Sequence, residues 1–165
     1  MRKPLMKAQS GSAAAEMALV APLLITLMFG SMELGYYFFS EHVVVKAVRD
    51  GARFASRQSF SQYACPAGTV EPTATGLIRN VTRTDQITPQ GTPRLSYWTD
   101  GNATIFVTLR CDISGAYGSI YTGMDAVPVV SVRAEVPYRS LFSQLGFNAT
   151  QLKLNAQSEV PVMGI

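Results

Sequence analysis

The sequence predicts an α+β protein: one long N-terminal helix that crosses a membrane and runs on into a small domain with an antiparallel sheet of about four strands. Three observations predict it. No charged residue falls between Met17 and Met32, and Glu16 and Glu33 bracket that run. From residue 40 to 58 the pattern becomes amphipathic at helical spacing. Beyond residue 59, stretches rich in Ser, Thr, Pro and Gly alternate with short segments of period two.

Residues 1–11 form a basic leader with Arg2, Lys3 and Lys7 and no acid. Those three side chains account for the whole formal charge of +3, so the rest of the chain is neutral and carries no nucleic-acid footprint. A leader of this kind also begins a secretory signal peptide. Here the apolar stretch is longer than a usual signal core, and no small-x-small site closes it. A plain signal anchor is the other alternative.

Residues 12–39 are the transmembrane helix. From Ala13 to Phe39 a helix spans roughly 40 Å at ~1.5 Å per residue, enough to cross a hydrocarbon core of ~30 Å with some tilt. A single segment in lipid must be helical, because every backbone N–H and C=O needs an internal partner. Pro22 removes one of those bonds, which membrane helices tolerate. Tyr36, Tyr37, Phe38 and Phe39 form an aromatic cluster of the kind found at a membrane–water interface. Glu33 lies near that end and is expected to snorkel outward, with a helix–helix contact beside Gly30 and Gly35 as the alternative.

Gly11, Ser12 and Glu16 stand between the leader and the apolar run. This arrangement resembles the processing site of type IV prepilins, where the peptidase cuts after the glycine on the cytoplasmic side. The resemblance implies that Ser12 becomes the mature N-terminus and that Glu16 of one subunit pairs with that amine on a neighbour. The plainer reading places Glu16 in the headgroup region, where the helix dipole and the free N–H groups of the first turn offset part of its cost.

Residues 40–58 extend the helix. At 100° per residue Lys46, Arg49, Arg53 and Arg57 share one stripe, and Val44, Ala47, Val48, Gly51, Ala52 and Ala55 share the opposite one. The small side chains permit close packing. The basic stripe reads as a solvated face or as a contact for lipid phosphates or acidic residues of an adjacent subunit. His42 reads as an interfacial polar residue.

Gly11-to-Glu16, the apolar run with Pro22, Phe29-Gly30, Glu33-Leu34-Gly35 and then Ala47-Val48-Arg49-Asp50-Gly51-Ala52-Arg53-Phe54-Ala55 together resemble the TadE-like family. Those are minor pilins, or pseudopilins, of the tight-adherence (Flp-type) pilus of bacteria. The resemblance is strongest over residues 11–57. It implies a pilin-like subunit in the inner membrane, with its N-terminus cytoplasmic and residues 59–165 as a periplasmic α+β domain. It implies as partners other pilin and pseudopilin subunits, a prepilin peptidase, the inner-membrane assembly platform and the lipid bilayer. Incorporation into an extracellular pilus follows from the same resemblance. The charge rule alone leaves orientation near a tie, because Lys46, Arg49, Arg53 and Arg57 balance the leader.

In the outer domain, residues 59–76 read as a loop holding Cys65. Thr75–Thr84 reads as a short helix with Leu77, Ile78 and Val81 on one face. Arg94–Thr99 and Ala103–Asp112 read as strands joined at an Asp100-Gly101 turn. Val127–Tyr138 and Leu152–Val162 complete the sheet, with Leu141–Leu145 as a helical turn between them. Val130, Val132, Leu152 and Leu154 are expected core residues. Alternation puts Cys111 on the apolar face of its strand, within reach of Cys65. The expected pairing closes a loop of about 45 residues and stabilises by roughly 3–4 kcal/mol in the chain-entropy model. Two unpaired buried thiols are the alternative.

Nothing in the chain resembles an enzyme. The single histidine precedes the outer domain, no Gly-x-Ser-x-Gly or metal-ligand spacing occurs, and Asp100, Asp112, Asp125, Glu135 and Glu159 are scattered. No cofactor or metal is expected. The competing function class is a membrane-anchored periplasmic binding domain or enzyme without pilus assembly.

Overall fold

The computed structural model describes residues 10–99, 104–113, 115, 117, 121–143 and 152–164. Helix α1, Ser10–Ser56, runs 47 residues without interruption, about 70 Å at ~1.5 Å per residue. Pro22 lies inside it, and the Thr26 hydroxyl donates to the Pro22 carbonyl at 2.8 Å.

The two halves of α1 have different environments. From residue 13 to 35 the side chains are exposed, apart from Ala21 and Glu33, which are half-buried. Beyond residue 40 the predicted small-residue stripe is the one that is covered: Val44, Ala47, Val48, Ala52 and Ala55 are all buried. Lys46, Arg49, Arg53 and Arg57 lie on the exposed side.

Four features close the C-terminal end of α1, where carbonyls lack helical partners. Arg57 N–H donates to Phe54 O and Gln58 N–H to Ala55 O. The buried Tyr63 hydroxyl also donates to Ala55 O, at 2.6 Å, and Met163 N–H to Ser56 O at 2.7 Å. A 3-10 turn at Phe60–Gln62 then leads to a two-stranded ribbon of β1, Tyr63–Ala64, and β2, Thr69–Val70.

Helix α2 is Pro72–Thr84, three residues longer at its start than predicted. Pro72 accounts for that, since its fixed φ and missing N–H suit the first helical position. Ala74, Ile78, Val81 and Thr82 are buried, whereas Leu77 is only half-buried. Asp85, at φ 63°, ends the helix in the left-handed conformation with its N–H on Val81 O.

Among the described residues the main sheet has three strands: β3, Ile105–Asp112, β4, Val127–Pro137, and β5, Lys153–Pro161, antiparallel in the order β3-β4-β5. Ile105 pairs with Ala134 and Val136 with Leu154. The inward residues of the central strand, Val130, Val132, Ala134 and Val136, meet Ile105, Leu154 and the buried stripe of α1 in one core. Ser131, Arg133 and Glu135 alternate with them on the other face.

The predicted fourth strand does not form. Residues 94–99 make a turn, with Trp98 N–H on Leu95 O at 2.9 Å. Leu95 and Trp98 are both buried, and their spacing of three residues puts both inward in a turn but on opposite faces of a strand. The indole N–H of Trp98 donates to Thr104 Oγ1 at 2.7 Å. The Asp100-Gly101 turn lies outside the described residues, as do the leader through residue 9 and the end of the 141–145 turn. Leu152, expected in the core, precedes β5 and is exposed; its carbonyl accepts Tyr138 N–H.

Candidate functional site

Among the described residues, the exposed large apolar side chains concentrate on the first half of α1. Met17, Leu19, Val20, Leu23, Leu24, Ile25, Leu27, Met28, Phe29, Met32 and Leu34 are all exposed. A contiguous surface of that kind on a folded chain marks a membrane or a partner. The helix is long and apolar enough to cross a membrane, and its apolar window is not buried by the domain.

Gly11 lies in the first turn of α1 and is exposed, as is Glu16. The Gly11–Ser12 bond is therefore about one turn from the Glu16 backbone. Gly30 and Gly35 have open space where a side chain would be, so among the described residues neither packs against the domain. Gly51 differs. A Cβ there would collide with Thr82 Oγ1 and lie 3.1 Å from Thr82 Cβ, so the glycine sets how closely α1 crosses α2.

Glu33 turns toward the domain. Its Oε1 accepts the Tyr138 hydroxyl at 2.8 Å, and its Oε2 accepts Leu141 N–H at 3.1 Å. The expected snorkelling carboxylate is instead a tie between α1 and the segment that follows β4. Burial and the neighbouring carboxylate both push the Tyr138 phenol above its usual range, so it remains a donor. The aromatic cluster divides around this tie. Tyr36 and Tyr37 are half-buried, with ring centroids 6.0 and 5.1 Å from Tyr138, while Phe38 and Phe39 are exposed. One helical turn below Glu33, Phe142 meets Phe29 edge-to-face at 5.1 Å.

Asp50, within the Arg49–Arg53 stretch, has a defined partner that the sequence did not suggest. Arg94 donates to Asp50 Oδ2 at 2.9 Å and to Asp85 Oδ1 at 2.8 Å, and Arg94 N–H donates to Arg83 O. Its side chain is 14% exposed, so this ion pair is largely shielded from water. Arg94 thus joins α1 to the end of α2. Only the Asp50-Gly51 pair inside a small-residue stripe hinted at a tight, specific contact there.

Cys65 and Cys111 are bonded, with Cα atoms 5.8 Å apart. The bridge holds the turn between β1 and β2 against the end of β3. His42 is exposed. Among the described residues no three His, Cys, Asp or Glu side chains converge as metal ligands would.

These features, an exposed apolar helix start, Glu33 and an Asp50-Gly51 contact, fall in one stretch, and that stretch matches a family model. Residues 11–53 match the model of TadE-like protein. Over those residues the chain is similar to TadE-like protein. The match begins at Gly11 and ends at Arg53, so it takes in the exposed half of α1 and most of its buried stripe. It supports a protein associated with a tight-adherence pilus system. The apolar helix of the TadE-like segment is consistent with a single-pass membrane anchor. No curated protein and no solved structure matches the chain.

Proposed function

We propose that the protein is a minor pilin-like subunit of a tight-adherence pilus, cut by a prepilin peptidase between Gly11 and Ser12 and assembled through α1. The observation that carries this reading is the start of the TadE-like match at Gly11, directly ahead of an apolar helix whose side chains are open to partners. On this reading Glu16 pairs with the Ser12 amine of a neighbouring subunit, and α1 supplies the contacts with other pilins and with the assembly platform. The N-terminus faces the cytoplasm and the domain the periplasm, where an oxidising environment maintains the Cys65–Cys111 bridge. The protein acts by assembly and not by catalysis.

The deciding experiment is the N-terminal mass of membrane-extracted protein from cells with and without a prepilin peptidase. The expected result is a chain starting at Ser12 only where the peptidase is present, and lost in Gly11→Arg. A chain starting at Met1 in both strains overturns the processing and leaves a membrane-anchored domain.

A further inference from the structure

We propose that the Leu141–Phe142 turn is a second membrane contact, inserted beside α1 into the leaflet on the domain's side. This rests on the reading of α1 as a membrane-spanning helix. Three observations carry it.

The first is depth. A hydrocarbon core of ~30 Å takes about twenty helical residues. Centred on the uncharged run from Met17 to Met32, that core places Glu16 and Glu33 at its two boundaries. Phe29 then lies about 6 Å inside, four residues at ~1.5 Å each. Phe142 packs on Phe29, so the turn that carries it lies at the same depth. Tyr36 and Tyr37, half-buried against Tyr138, belong to the domain and not to the lipid boundary.

The second is surface character. Leu141 is 47% exposed, directly beside the exposed apolar surface of α1. Between turn and helix runs an apolar groove of about 470 Å³, lined by Ile25, Phe29 and Gly30 of α1 and by Ser140 and Phe142, with Glu33 at its C-terminal end. The groove is continuous with the helix surface that lipid covers, so acyl chains are its occupant.

The third is the backbone. Non-helical backbone at membrane depth must have its polar groups satisfied by protein. Leu141 N–H donates to Glu33 Oε2, Phe142 N–H to Ser140 Oγ at 3.1 Å, and Ser143 N–H to Ser140 O at 3.3 Å. All three N–H groups at the tip are therefore paired. The Leu141 N–H and the Tyr138 hydroxyl together give the Glu33 carboxylate two donors at the boundary, where an unsatisfied charge is costly.

The test uses the full-length protein in phosphatidylcholine nanodiscs, with Leu141→Cys labelled by an environment-sensitive fluorophore. The native cysteines remain bridged, so the label reports one site. Nitroxide quenchers sit at carbon 5 or carbon 12 of the acyl chain. Leu24→Cys serves as the mid-helix reference and Lys46→Cys as the solvent reference. The expected result is quenching at residue 141 several-fold above that at 46, stronger from the shallow quencher than from the deep one. Quenching at 141 equal to that at 46, with residue 24 quenched, overturns the second contact alone. No quenching at residue 24 overturns the membrane-helix reading beneath it.

Discussion

The Tyr138 hydroxyl donates to Glu33 Oε1 at 2.8 Å, tying the end of β4 to α1 across 105 residues of sequence. A hydrogen bond to a charged acceptor contributes about 1.5–3 kcal/mol. Tyr138→Phe removes it and leaves Glu33 with the Leu141 N–H alone. Amide exchange at residues 138–143 is expected to rise by one to two orders of magnitude, with little change in β4 itself. Glu33→Gln retains an acceptor and should cost less. Unchanged exchange in Tyr138→Phe would show that the carboxylate is solvated instead.

Gly51→Ala should destabilise the domain. The added methyl meets Thr82 Oγ1, whose hydrogen bond to Ile78 O at 2.7 Å holds it in place. Overpacking of this kind costs about 1–3 kcal/mol. Denaturant unfolding of Gly51→Ala, and of Gly51→Ala with Thr82→Ala, checks the cause. The second substitution removes the obstructing hydroxyl and should recover part of the loss.

Arg94 has two acidic partners of unequal worth. Asp50 is 28% exposed and Asp85 72% exposed, so water screens the second pair far more. Asp50→Asn is expected to lower stability by about 2 kcal/mol or more and Asp85→Asn by less than about 1 kcal/mol. Thermal melts of the two variants give the ranking, and equal shifts would contradict it.

Reduction of the Cys65–Cys111 bridge should release the β1–β2 ribbon before the main sheet. The ribbon pairs only two residues per strand and is anchored by Tyr63 in the core and by the bridge, whereas β3, β4 and β5 pair along eight or more residues and supply most of the sheet's share of the core. Cys65→Ser with Cys111→Ser is expected to lose roughly 3–4 kcal/mol. Exchange rates should rise first at residues 63–70.

Burial pushes the Tyr63 phenol up to about 12 from 10.0. The folded state therefore keeps a proton that the unfolded state releases. The stability this contributes is complete below pH ~10 and declines as pH rises toward ~12. Tyr63→Phe should flatten that decline and also remove the bond to Ala55 O, worth about 1 kcal/mol near neutral pH. Denaturation midpoints at pH 9 and pH 11 for both proteins test the sign.

The sequence by itself determined what periodicity can encode. The uncharged run marked the apolar helix, and the 3.6-residue pattern separated the buried stripe of Val44, Ala47, Val48, Gly51, Ala52 and Ala55 from the basic one. Alternation placed β3, β4 and β5 to within a few residues and turned Cys111 toward Cys65. Each of those properties is local, because a helix or strand sorts its own side chains by face. The partners across elements were decided only by tertiary structure. Glu33 took Tyr138 and the Leu141 N–H, Asp50 took Arg94, and Gly51 took Thr82. Residues 94–99 became a turn because Leu95 and Trp98 both had to reach the core. Periodicity names the face a residue occupies, but the group that meets that face is chosen by how elements far apart in the chain pack together.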